Sequence, residues 1–194
     1  MQRDIVLITI DCWRHDALSE MPRLNRATHG YKRREAVCAG AATNGVFPAI
    51  LSGSYYPLVY DEYGEPKSNV RPLPELLSEA GYATGAFIAS NPFVRQWKPY
   101  FNAFWNPNRD AKSPLRRKFD RAKKLLFLSK EVSASEIAKT ARDWYTSVSR
   151  PRFLWMHLME PHSPFNPGLR EGLDQGLFSS YRSIVEYERD DRNT

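Results

Sequence analysis

Asp4 to Asp16 reads DIVLITIDCWRHD, an unbroken apolar and β-branched run from Ile5 to Ile10 that ends on the carboxylate of Asp11. A run of that length and composition is a buried β-strand. A carboxylate directly off such a strand must be ligating, paired or hydrogen-bonded, because an isolated buried charge is prohibitively costly. Asp11 is therefore either a ligand for a hard cation or the N-cap of a following short helix, with Arg14 and Asp16 as a surface pair.

The same grammar extends outward. Ala83 to Ala89 (ATGAFIA) and Arg152 to Leu158 (RFLWMHL) read as further strands, and Arg34 to Ala39 is another strand candidate. Between them, helical patterns fall at 45–53, 73–80, 113–128 and 133–149. The third of these begins beside Pro114, and the last opens on Ser133 with Glu136 at capping-box spacing. Tyr55 to Pro74, Asn91 to Asn108 and His162 to Gly176 read as loops. Strands alternating with helices predict an α/β fold, a mostly parallel sheet flanked by helices, in a single domain over residues 1–194.

Ligands of open parallel sheets bind beyond the carboxyl ends of the strands. Asp11 falls there, as do Thr43 ahead of the helix at 45–53, His157 on the last strand and His162 behind it. At the start of a helix, backbone N–H groups and the helix dipole favour an anion. The Thr43 hydroxyl is a nucleophile in such a place if a metal lowers its pKa, and otherwise an N-cap. His157 reads as a satisfied core residue. His162 sits in a loop between prolines, where a substrate or metal role is more natural than packing.

With 194 residues and 42% hydrophobic content, the chain is long enough for one domain with a substantial core. Cys12 and Cys38 lack a metal-type spacing and read as reduced thiols. The opening apolar run is too short for a secretory leader, and no stretch reaches the ~18 apolar residues of a membrane span. A cytoplasmic protein without a transmembrane segment is expected. The net charge of +6 is concentrated in RDAKSPLRRKFDRAKKLLFLSK, Arg109 to Lys130. Leu115, Phe119, Leu125 and Leu126 share one helical face there, so this segment is either a solvated helix packed by its apolar side or a basic amphipathic binder of membrane surface or nucleic acid.

Four segments in register resemble the N-terminal part of the sulfatase family of the alkaline-phosphatase-like superfamily. They are Ile10 to Asp16, Ala42 to Pro57 (ATNGVFPAILSGSYYP), Leu73 to Phe93 and Phe153 to Phe165 (FLWMHLMEPHSPF). Counting back from Ser52 and Gly53 places Thr43 at the family's nucleophile position. The resemblance implies a metal-dependent hydrolase of anionic sulfate or phosphate esters. Asp11 and Thr43 would hold the divalent cation, Asn44 and His162 would contact the substrate, and Thr43 with His162 would carry the catalysis. Carboxylate and hydroxyl ligands suit Mg, Ca or Mn, and an added histidine moves the preference towards Zn or Mn.

The chain departs from the family pattern in three ways. Threonine stands where sulfatases carry the cysteine or serine that becomes formylglycine, which resembles the superfamily's phosphatases and phosphotransferases instead. Cys12 replaces a second acidic residue. The family's downstream Asp-His-Gly or Asp-Asn-Gly motif is missing, no histidine following His162, and a C-terminally truncated site with little or no activity alone is expected, with a second chain as one source of the missing half. Two alternatives stay open, a non-catalytic remnant that binds an anion or a partner and a binder acting through residues 109–130. No specific nucleic-acid partner is expected.

Overall fold

The computed structural model describes residues 2–32, 34–107, 132–162 and 182. Among them, β1 (Ile5–Ile10), β2 (Ala83–Ile88), β3 (Ala103–Trp105) and β4 (Arg152–Leu158) form one sheet in the order β1-β4-β2-β3. Every pairing is parallel. Parallel strands need crossovers, and these are helical: α1 (Pro22–Ala27), α2 (Thr43–Ser52), α3 (Tyr56–Val59), α4 (Leu73–Glu79) and α5 (Ala134–Ser147), with 3-10 segments at His15–Glu20 and Pro92–Tyr100. The mostly parallel α/β architecture is the expected one.

Strand periodicity divides the core into two layers. Phe153 and Trp155 of β4 join Ala86 and Ile88 of β2 under Phe47 and Leu51 of α2, with Val94 and Trp97 beside them. Leu154 and Phe87 point the other way, against Ile137 and Ala141 of α5. That second contact needs a glycine. A Cβ on Gly85 would lie 2.7 Å from the Trp144 ring, so only glycine lets α5 sit this close to β2.

Local signals account for most boundaries. Ser133 is extended, and its Oγ accepts from the Glu136 N–H at 3.2 Å, which opens α5 as the capping-box spacing predicts. Gly53 at φ 71° ends α2 in a left-handed cap, its N–H donating to Ala49 O. Asp4 fastens the start of β1, accepting from Tyr145 Oη, Arg150 Nε and the Arg152 N–H at 2.8, 2.8 and 3.0 Å.

Several expectations are corrected. Arg34 to Ala39 forms no strand; Val37 is 99% exposed, and a strand without an apolar face to bury has nothing to hold it. β1 is not fully buried, because it lies at the sheet edge with α5 over β2 and β4, leaving Val6 and Ile8 about half exposed. The 91–108 stretch read as a loop contains β3, and the 55–74 loop contains α3. The helix expected at 113–128, the basic stretch 109–130 and the segment from 163 to Gly176 lie outside the described residues. Cys12 and Cys38 are both exposed and are not joined in a disulfide. No helix among the described residues is long and apolar enough to cross a membrane.

Candidate active site at the carboxyl ends of three strands

β1, β4 and β2 end side by side. The Asp11 N–H donates to Leu158 O at 2.8 Å, and the Ala89 N–H to His157 O at 3.1 Å, so the ladder carries one residue past β1 and β2 and sets the loops beyond them around one crevice. Cys12 then takes φ 55°, an uncommon conformation for a side-chain-bearing residue. This turn brings the Cys12 N–H to Asp11 Oδ1 at 2.9 Å.

The other Asp11 oxygen receives the Thr43 hydroxyl, which donates to Oδ2 at 3.1 Å. Neither side chain is a helix cap. The N-cap of the 3-10 segment His15–Glu20 is Arg14, so Asp11 caps nothing, and Arg14 pairs with Asp16 on the exposed surface. Thr43 is the first residue of α2, whose N-cap is Ala42 with no side-chain cap bond. Its hydroxyl therefore serves the crevice and not the helix end. The preceding loop is pressed onto the first turn of α2, since a Cβ on Gly40 would stand 3.1 Å from the Gly45 carbonyl carbon.

His157 is a core histidine with both ring nitrogens engaged. Asn91 is buried, its Oδ1 accepts from the Phe93 N–H at 2.9 Å, and its Nδ2 is thereby turned to His157 Nε2 at 3.2 Å. Nε2 must accept, which puts the ring proton on Nδ1, 3.0 Å from Thr9 Oγ1. Burial drives the imidazole down to about 4, a fall that the nearby Asp11 carboxylate only partly opposes. The neutral ring stands 3.8 Å from Asp11 Oδ2, but its lone pair is taken by Asn91. Asn91 is in turn clamped by Asn106, which accepts from the Asn91 N–H at 3.0 Å and donates to its carbonyl at 2.6 Å. Asn91, Asn106 and Thr9 were not identified from sequence; the only signal was an asparagine between a strand and Pro92.

Asn44 and His162 line the same crevice, which has a volume of about 730 Å³. The His162 N–H donates to Met159 O, closing the turn behind β4. Glu160 turns away and accepts from the Ala134 N–H at the start of α5. Asp11, Thr43, Asn44 and His162 thus line one crevice. As a cation site, Asp11 Oδ2 and Thr43 Oγ1 offer two hard oxygens, which suits part of a Mg, Ca or Mn shell. Among the described residues no group of three or more His, Cys, Asp or Glu is arranged to hold a metal, so a full shell needs further donors.

The family model described as Sulfatase matches residues 3–173. No curated protein matches the chain significantly. Among solved structures, the C-terminal periplasmic domain of EcEptC from Escherichia coli in complex with Zn matches with a TM-score of 0.63 and 13% identity, covering 90% of this chain and 48% of that one. A second structure of that domain gives a TM-score of 0.62, again at 13% identity and with the same coverage. The phosphonate monoester hydrolase of Agrobacterium radiobacter matches with a TM-score of 0.58 and 16% identity, over 85% of this chain and 42% of that one. At these identities the likeness is one of fold, which is alkaline-phosphatase-like. The chain spans about half the length of these solved structures.

Proposed function

Because the chain belongs to the sulfatase family, we propose that it forms the nucleophile-bearing part of a metal-dependent hydrolase of phosphate or sulfate esters, with Thr43 as the nucleophile. The observation that carries this reading is the 3.1 Å hydrogen bond from the Thr43 hydroxyl to Asp11 Oδ2 at the uncapped start of α2. Asp11 and Thr43 are the residues that would hold a divalent cation, whose chemistry there is to lower the pKa of the Thr43 hydroxyl. The remaining ligands are assigned to polypeptide outside the described residues, a second chain included.

The roles of the chain's own groups follow from their placement. Thr43 Oγ1 attacks the phosphorus or sulfur as the bond to the leaving alcohol breaks, its proton leaving through the hydrogen bond to Asp11, and water then cleaves the resulting Thr43 ester; the first N–H groups of α2, with Asn44, meet the charge that develops on the non-bridging oxygens. His162 faces the same space and is assigned to orient or protonate a substrate oxygen. Asp11 holds the hydroxyl in line, and the neutral His157 keeps a positive charge out of the floor. A threonine cannot become formylglycine, so attack by its own oxygen is the chemistry open to it.

The test is hydrolysis of p-nitrophenyl phosphate, p-nitrophenyl sulfate and p-nitrophenyl phenylphosphonate in the presence of Mn, Zn, Mg or Ca, together with mass spectrometry of the Thr43 peptide for a covalent adduct. Turnover or adduct that is lost with chelator and falls at least ~10³-fold in Thr43→Ala supports the assignment. Chelator-sensitive hydrolysis that persists in Thr43→Ala overturns it.

A further inference from the structure

The crevice has an apolar side that the chemistry above does not use. Val46 and Ile50 stand three and seven residues after Thr43 on α2, the spacing of one helical face, and both line the crevice with it. At 1.5 Å per residue the stripe runs about 10 Å away from the hydroxyl. Phe93, from the 3-10 segment Pro92–Tyr100, lines the same crevice. Its ring is held out into solvent, 56% exposed, on a turn fixed by the Phe93 N–H to Asn91 Oδ1 bond, and Ile50 is 37% exposed. Large apolar side chains held open at the rim of a polar site are a binding feature when contiguous with it.

Charge sharpens this. The chain has 28 Lys and Arg, yet none is among the described residues that line the crevice, nor is any Glu. A second ionised group on the substrate, beyond the ester itself, would find no Lys, Arg or Glu partner among the described residues of this wall and would lose its hydration against its apolar side chains. An uncharged apolar substituent would gain from the same burial, at roughly 0.8 kcal/mol per CH₂ enclosed.

We propose that the ester taken at Thr43 carries an uncharged apolar arm, alkyl or aryl, that lies along Val46 and Ile50 beneath Phe93. This assignment rests on the anion site proposed above and adds the class of leaving group or substituent to it. The arm matches a groove about 10 Å long, so affinity rises with chain length until that length is filled.

The experiment is calorimetric titration of the whole chain, with Mn present, using methyl-, butyl- and octylphosphonate. Affinity is expected to rise at least about tenfold from methyl to butyl and again towards octyl. Phe93→Ala is expected to collapse the methyl-to-octyl ratio to under about threefold, and Ile50→Ser to remove mainly the butyl-to-octyl gain, with Ile50→Leu restoring it. Both side chains are partly exposed, so the variants should fold. Equal affinities for the three phosphonates, or a chain-length gain untouched by either substitution, overturn the apolar arm while the anion site stands. Failure of all three to bind overturns the anion site and this assignment with it.

Discussion

Asn91 and His157 lie 66 positions apart and meet Nδ2 to Nε2 at 3.2 Å beneath the crevice. The contact orients both partners, because the Phe93 N–H fixes which way the amide faces and the amide fixes which ring nitrogen carries the proton. Removing one side of a buried hydrogen bond costs more than the bond contributes, since the remaining partner is left desolvated. Asn91→Leu should therefore destabilise the chain by about 1–3 kcal/mol, seen as a lower urea midpoint with an unchanged slope. An unchanged midpoint would mean that water or another side chain serves His157 equally well.

Asp11 stood out as a candidate because an apolar strand run ends on it, and Thr43 because the resemblance to the sulfatase family counts back to it from Ser52 and Gly53. The Asn91 to His157 contact was not legible. It depends on β4 lying between β1 and β2, and no local pattern encodes strand order. The same limit explains β1. Its residues are apolar enough for a central strand, yet its edge position exposes Val6 and Ile8. β3 escaped for another reason, since Ala103 to Trp105 is too short to show a period of two.

Gly85 is the position where packing tolerates least. A methyl group there would sit 2.7 Å from the Trp144 ring, and overpacking of this kind costs about 1–3 kcal/mol as the helix shifts off the sheet. Gly85→Ala is expected to lower stability by that amount in chemical denaturation. Pairing it with Trp144→Leu should recover part of the loss, because the two residues share one contact and their effects are not additive. Additive losses in the double variant would place the cost of Gly85→Ala elsewhere.

Acid should act through Asp4. Burial on its own raises this carboxyl, but hydrogen bonds from Arg150, Tyr145 and the Arg152 N–H outweigh it and hold the group below its usual value. With the folded-state pKa depressed, the unfolded chain binds the proton more readily. The associated stability is therefore present above the unfolded value of about 3.9 and is lost as pH falls through the folded one. Thermal melts between pH 6 and pH 3 should show this decline, and Asp4→Asn should start less stable at pH 6 with a shallower acid slope. A parallel slope in the variant would assign the acid sensitivity to other carboxylates.

Metal removal separates Asp11 from its neighbours. Two oxygens 3.1 Å apart in one crevice are the described donors, and a cation that binds only the folded chain stabilises it in proportion to its occupancy, by about 2.7 kcal/mol at a hundredfold excess over Kd. Addition of Mn or Zn should raise the melting temperature of the unmodified chain, and chelator should reverse the rise. Asp11→Asn keeps the shape, with its oxygen still accepting from the Cys12 N–H and its amide N–H donating to Thr43 Oγ1, but removes the charge, so it should abolish the shift, while Thr43→Ala, which removes a neutral metal donor, should only reduce it. A shift of equal size in Asp11→Asn would place the cation away from this carboxylate and remove the basis for activating Thr43.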